Sequence, residues 1–285
     1  MKKKLAALVT ISLLLFGAGV PADAAYINQW DYTLYTVFDG TNTFTAGGGN
    51  KIQQLNQVSW GGSNSVFLPA VNSTVNRSGI TIAQTAGANE DVIPVGGVVN
   101  TDDLSSIGQG HWITHHNKPI SGNYATLTSS QIASTLTLKP AGMPVTPFSG
   151  TITFTIRFAE TPNSVPCTAT SPAGNPCNDI FALAGDNFNQ TIVIDDFTYY
   201  VSIFPTAGPG IVAGTLPYLP DNVCTAAGAG VGCVGFTTVE GQNTSIRFGF
   251  LITSEPINVI PEPSTFVLIG AGLVGLGLAA RRRMK

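Results

Sequence analysis

Residues 151–158 read TITFTIRF, with Ile152, Phe154, Ile156 and Phe158 alternating with Thr151, Thr153, Thr155 and Arg157. A period of two places the two sets on opposite faces of an extended strand, and a helix cannot sort them this way. The same period links Trp30, Tyr32, Leu34, Thr36 and Phe38, which therefore share one strand face. QTIVIDDFTYYVSIF reads as a hairpin turning at Asp195-Asp196, and GFTTVEGQNTSIRFGFLIT as a second turning at Glu240-Gly241-Gln242-Asn243. NSVFLPAV, SGITIAQ and ASTLTLK supply further strands, and no stretch between the two ends keeps a 3.6-residue period. Gly, Ser, Thr and Asn are plentiful while Lys and Glu are scarce, which suits short strands joined by tight turns. The expected fold is all-β: a β-sandwich of roughly ten or more strands in a single domain.

The two ends follow a different logic. Lys2, Lys3 and Lys4 precede an apolar run from Leu5 to Val20, and Ala22-Asp23-Ala24 offers small residues where a signal peptidase reads. Residues 1–24 are expected to be a cleaved signal peptide. Towards the other end, Ser264 to Ala280 carries no charge and at 1.5 Å per residue reaches about 25 Å, enough for a short membrane crossing. Pro261 and Pro263 cannot extend that helix backwards, and Arg281, Arg282, Arg283 and Lys285 form a basic stop on the cytoplasmic side. Residues 25–258 then form an extracytoplasmic domain, and residues 259–285 a transmembrane helix (264–280) with a basic tail. Gly270, Gly272 and Gly275 spell the dinucleotide fingerprint, but too few residues follow them to complete a βαβ unit.

Between residues 25 and 263 six basic residues face fifteen acidic ones, a net charge of −9. That balance argues against nucleic acid as a partner and leaves room for cations. Cys167, Cys177, Cys224 and Cys233 form an even set in an exported chain, which points to disulfides. Three pairings are possible; Cys167–Cys177 and Cys224–Cys233 are favoured because each pair brackets a Gly- or Pro-rich loop. His111, His115 and His116 cluster in HWITHHNKPISG, where flanking Gly108, Gly110 and Pro119 favour a strand or loop. In a strand, His111 and His115 share one face and Thr114 and His116 the other. Hydrogen-bonded structural histidines are the expectation, with metal binding aided by Asp102 and Asp103 as the alternative. Asp195-Asp196 is turn chemistry, or a calcium site. No catalytic constellation and no cofactor motif is legible.

Pro261-Glu262-Pro263, the apolar span and the arginine cluster together resemble the PEP-CTERM sorting signal. That resemblance implies recognition by an exosortase, a membrane-embedded protease-transpeptidase of Gram-negative bacteria that make exopolysaccharide. Thr114-His115-His116-Asn117 further resembles the T-H-x-N signature of a PEP-CTERM family, the THxN family. NPCNDIFAL, YYVSIF and GFTTVEGQNTSIRFGFLIT look like later blocks of the same family. The roles of Thr114, His115 and Asn117 do not follow from the resemblance.

The expected function is that of a non-enzymatic surface or extracellular-matrix protein, structural or adhesive, in an exopolysaccharide biofilm. Its expected partners are signal peptidase and exosortase during export, then exopolysaccharide, with membrane contact through the C-terminal helix before processing. A carbohydrate-binding module, using Trp30, Trp60 or Trp112 to stack on sugars, is the alternative; a glycan-active enzyme is a more distant one. N-terminal sequencing of the protein from native cells should start at Ala25; a start at Met1 would make residues 1–24 an uncleaved anchor.

Overall fold

The computed structural model describes residues 26–62, 77–162, 164–169, 177–183, 187–194, 196–212 and 215–257. Within them the chain forms thirteen strands. The first seven are β1 (Gln29–Phe44), β2 (Asn50–Gln53), β3 (Gln57–Gly62), β4 (Ser78–Ala83), β5 (Val95–Asn100), β6 (Gly108–His116) and β7 (Leu127–Pro140). The rest are β8 (Phe148–Ala159), β9 (Asn178–Leu183), β10 (Gln190–Ile194), β11 (Phe197–Ala207), β12 (Val234–Val239) and β13 (Asn243–Thr253). A six-residue helix, α1 (Asp221–Ala226), precedes β12. The expected leader, the NSVFLPAV strand and the span 264–280 lie outside the described residues. Among those described, no helix is long and apolar enough to cross a membrane.

The strands make two antiparallel sheets. One has six strands in the order β12-β9-β8-β7-β1-β5, and the other seven in the order β10-β11-β13-β6-β4-β3-β2. They pack face to face. Trp30 of β1 meets Tyr199 of β11 edge-on at 5.1 Å, Tyr32 meets Phe250 of β13 at 4.9 Å, and Phe158 of β8 meets Trp60 of β3 at 5.2 Å. The alternation in β1 is realised as expected: Trp30, Tyr32, Leu34, Thr36 and Phe38 are buried. In β8, Phe154, Ile156 and Phe158 are buried while Thr151 and Thr153 stay in solvent. Each fully buried aromatic contributes about 1.5–3 kcal/mol by leaving water.

The two expected turns are where the alternation puts them, but only one closes a hairpin. β10 and β11 pair, with Ile194 opposite Phe197. β12 and β13 do not pair with each other. β12 lies on β9 at the edge of the six-stranded sheet, while β13 lies between β11 and β6 in the other. The turn at Glu240–Gln242 is therefore an arch from one sheet to the other. Local alternation fixes which face of each strand is apolar, and leaves the pairing partner open.

β9 is buried along its whole length. Phe181 and Leu183 join the main core. Ile180 and Ala182 point the other way, into a second small core with Ala169, Val223, Cys224, Ala227 and Cys233. Two disulfides hold this cover: Cys167–Cys177 and Cys224–Cys233, with Cα separations of 5.2 and 5.7 Å. Both are the local pairings that the loop composition favoured. Replacing Cys224 and Cys233 together by Ser should lower the unfolding free energy by about 2–3 kcal/mol, the chain-entropy value for a loop of about ten residues. The far-UV spectrum should be unchanged. Urea titration of the two proteins side by side measures the difference, and equal midpoints would show that the small core holds without its staple.

Candidate functional site

At one end of the sandwich several strands carry their inward-facing register two residues further with polar side chains. In β6 the inward series Ile113, His115 continues to Asn117, just past the strand. In β8, Ile156 and Phe158 continue to Glu160. In β9, Phe181 is preceded two residues earlier by Asp179, and in β12, Phe236 and Thr238 lead to Glu240 at the arch. The ladders bring these positions together. Ala159 pairs with Ile180, which puts Glu160 beside Asp179, and Thr238 pairs with Asp179 directly. One oxygen from each of Glu160, Asp179 and Glu240 lies within 4.8 Å of the others. Asp179 is 1 % exposed, Glu240 7 % exposed, and Glu160 half-buried.

Polar partners are few at this depth. Asp179 Oδ1 accepts from the Thr161 amide at 2.8 Å, while its Oδ2 is buried with no hydrogen-bond partner among the described residues. Glu160 Oε2 accepts a long bond, 3.4 Å, from the Trp60 indole N–H. Asn117 is fully buried. Its amide lies near enough to Asp179 to favour the carboxylate, yet neither Nδ2 nor Oδ1 makes a hydrogen bond of good geometry among the described residues. Burial, then repulsion from Asp179 and Glu240, raises the pKa of Glu160 far above the usual carboxylate range. Burial likewise raises Asp179, opposed by the Thr161 amide. At this depth and separation Glu160 and Asp179 hold their protons unless a positive charge joins the group.

The Thr114-His115-His116-Asn117 segment has a physical explanation in this geometry. His115 and Asn117, two apart, both face inward. The His115 ring stacks on Trp60 at 6.0 Å, meets Phe158 edge-on at 4.9 Å, and bonds Thr238 Oγ1 through Nδ1 at 2.8 Å. Thr114 faces outward, where its hydroxyl pairs with Ser245 at 2.8 Å and accepts from the Gly87 amide at 3.0 Å. His116 Nε2 shares a proton with Thr81 at 3.0 Å. His111 Nε2 instead reaches the Ile93 carbonyl at 2.9 Å. The three imidazoles thus go to three separate partners. Asp102 bonds Tyr26 and Ser254, and Asp103 bonds Ser105, so neither aspartate joins a histidine. Burial drives the pKa of His115 down to about 3 and of His116 to about 4, so both rings are neutral.

Trp30 is fully buried, as its place on the apolar face of β1 requires; Trp60 is fully buried too, which corrects the alternative that it stacks on an external sugar, and Trp112 is half-buried. The carboxylate group was not anticipated from the sequence. Its signal was an acidic residue on the apolar parity of three separate strands. Three segments that carry the THxN resemblance supply Asn117, Asp179 and Glu240 to this one place.

Residues 259–283 match the family model described as the PEP-CTERM protein-sorting motif. The match spans Pro261, Glu262, Pro263 and the arginines 281 to 283, and the motif implies an exported protein sorted by an exosortase while anchored in the membrane. No curated protein matches the chain.

The buried groups set a pH profile. His115 and His116 take up protons on unfolding once the pH is below about 6.5, so their contribution is lost as pH falls through the folded values of about 4 and 3. Glu160 and Asp179 bind protons more tightly when folded, so their effect has the opposite sign. Stability present at low pH declines as pH rises above the ordinary carboxylate range of about 4. In a chelating buffer the unfolding free energy should therefore be highest on the weakly acidic side and fall in both directions. Glu160→Gln should flatten the alkaline arm and leave the acid arm in place. Urea midpoints across the pH range give the comparison, and an unchanged alkaline arm would place that arm's origin elsewhere.

Proposed function

We propose that this chain is an exported β-sandwich, related to the THxN group of sorted proteins, that serves as a non-catalytic structural or adhesive component of an exopolysaccharide matrix. The observation that carries the reading is the sorting motif at residues 259–283. Three features support it. The region between the targeting ends is strongly acidic, which suits a hydrated, cation-containing matrix. Its four cysteines are paired in two disulfides, which persist in oxidising compartments. Its sandwich buries two of the three indole rings that a sugar-stacking surface would use.

In this reading the sorting segment divides its work by chemistry. Pro261 and Pro263 keep the chain extended where an exosortase grips it. The uncharged stretch holds that site at the membrane, and Arg281, Arg282 and Arg283 stop translocation. Glu262→Ala should leave insertion intact and cause the anchored precursor to accumulate. Changing the three arginines to Ser should let part of the protein pass through unsorted. The mass of the C-terminal peptide from native cells tests the reading. It should end near Pro261–Pro263, in protein recovered with the exopolysaccharide fraction. A peptide ending in Arg281-Arg282-Arg283-Met284-Lys285 would make the segment a permanent anchor and overturn the proposal.

A further inference from the structure

We propose that Glu160, Asp179, Glu240 and Asn117 form a calcium-binding site that ties the two sheets together at one end of the sandwich. The proposal stands on the geometry of the body and is independent of how the protein is sorted.

Two observations meet at this place. The first is the carboxylate trio itself, with one oxygen of each residue within 4.8 Å of the others. A calcium ion with ligands at about 2.3–2.6 Å holds opposed oxygens about 4.6–5.2 Å apart. The three carboxylates can therefore meet one ion without moving a strand. The second is Asn117, fully buried, whose amide NH2 side favours the Asp179 carboxylate and whose Oδ1 has no hydrogen-bond partner among the described residues; a half-turn of the amide presents Oδ1 at the same point. A buried amide oxygen left in that state costs free energy unless something accepts its lone pairs. A cation does so and draws the three carboxylates into the same coordination sphere.

The donor set selects the ion. The group that converges within 4.8 Å contains no imidazole and no thiolate. His115 is held off by its stack on Trp60 and its bond to Thr238. Oxygen donors alone suit hard cations, and a mixed set of carboxylates and an amide carbonyl suits calcium, which tolerates irregular geometry; zinc favours nitrogen and sulfur. Among the described residues the charged groups that act on Glu160 are the other two carboxylates, so a dication would replace repulsion with attraction and leave the trio with a net charge of −1. Glu160, Asp179 and Glu240 come from the six-stranded sheet and its arch, and Asn117 from the end of β6 in the other sheet. A shared ion would thus be a cross-link between layers.

The test uses the full-length protein in detergent. Elemental analysis before treatment should find calcium. After stripping with EDTA, calorimetric titration with calcium chloride should give a dissociation constant of about 10⁻⁴–10⁻³ M or tighter, the range of extracellular sites. Calcium should raise the melting temperature, and zinc at the same concentration should not substitute. Terbium(III), excited through tryptophan, should luminesce in the wild type and be displaced by calcium. The donor is Trp60, whose indole N–H lies 3.4 Å from Glu160, so Trp60→Phe should lose most of that signal. Glu160→Gln keeps the shape and removes one repelling charge. Its metal-free melting temperature should be no lower than wild type, while its calcium affinity drops roughly 10- to 100-fold or more. If the stripped wild type takes up no calcium, or E160Q binds it as tightly as wild type, or zinc is preferred, the proposal is wrong. The wild-type titration decides the first and last of these without any variant.

Discussion

The gap between the two sheets is filled by rings that meet edge-on, and everything else in this protein is arranged around keeping that gap closed. Trp30 against Tyr199, Tyr32 against Phe250, and Phe158 against Trp60 and His115 run from one layer to the other. Edge-to-face pairs add about 0.5–1.5 kcal/mol beyond the area they bury, and they fix how far apart the layers sit. Once that spacing is set, a residue on the inward parity of a strand is largely cut off from water, as His115 and Asp179 are. His115 is consequently neutral and serves as an aromatic plate with one hydrogen bond. The same constraint turns Glu160, Asp179 and Glu240 from ordinary surface acids into a strained group.

How much of this was legible in the sequence depends on the range of each interaction. The faces of β1 and β8 could be read directly, because alternation is a local property and each strand carries at least four matching positions. Both disulfides were legible for the same reason, since their partners are nine and ten residues apart. α1 was not foreseen: six residues are too few to show a helical period. The arch at Glu240 was read as a hairpin tip because its turn residues are the same in either case. Its strands differ only in which distant partner they choose, β9 for β12 and β6 with β11 for β13.

The carboxylate group is the clearest instance. Each member is a single residue at the end of its own strand, and singly each looks like a charge at a turn. What unites them is the ladder Ala159 to Ile180 and Thr238 to Asp179, joining positions far apart in the chain. The histidines show the reverse. Crowded in sequence, they attract notice as a cluster, and strand parity then parts His115 from His116 while separate partners hold His111. Proximity along the chain overstated one site and hid another.

The position of β13 has a consequence for the order of events during export. It lies inside its sheet, flanked by β11 and β6, and pairs Thr244 with His115 across nearly half the chain. It is also the last strand described, ending at Thr253, with only residues 254–258 before the sorting motif at 259–283. A sheet with its inner strand missing cannot close, and such long-range pairings are slow to form. The body therefore reaches its native state only when the chain has been delivered almost to the motif itself. Folding and sorting share one clock: the segment that completes the architecture emerges next to the segment that the membrane protease reads.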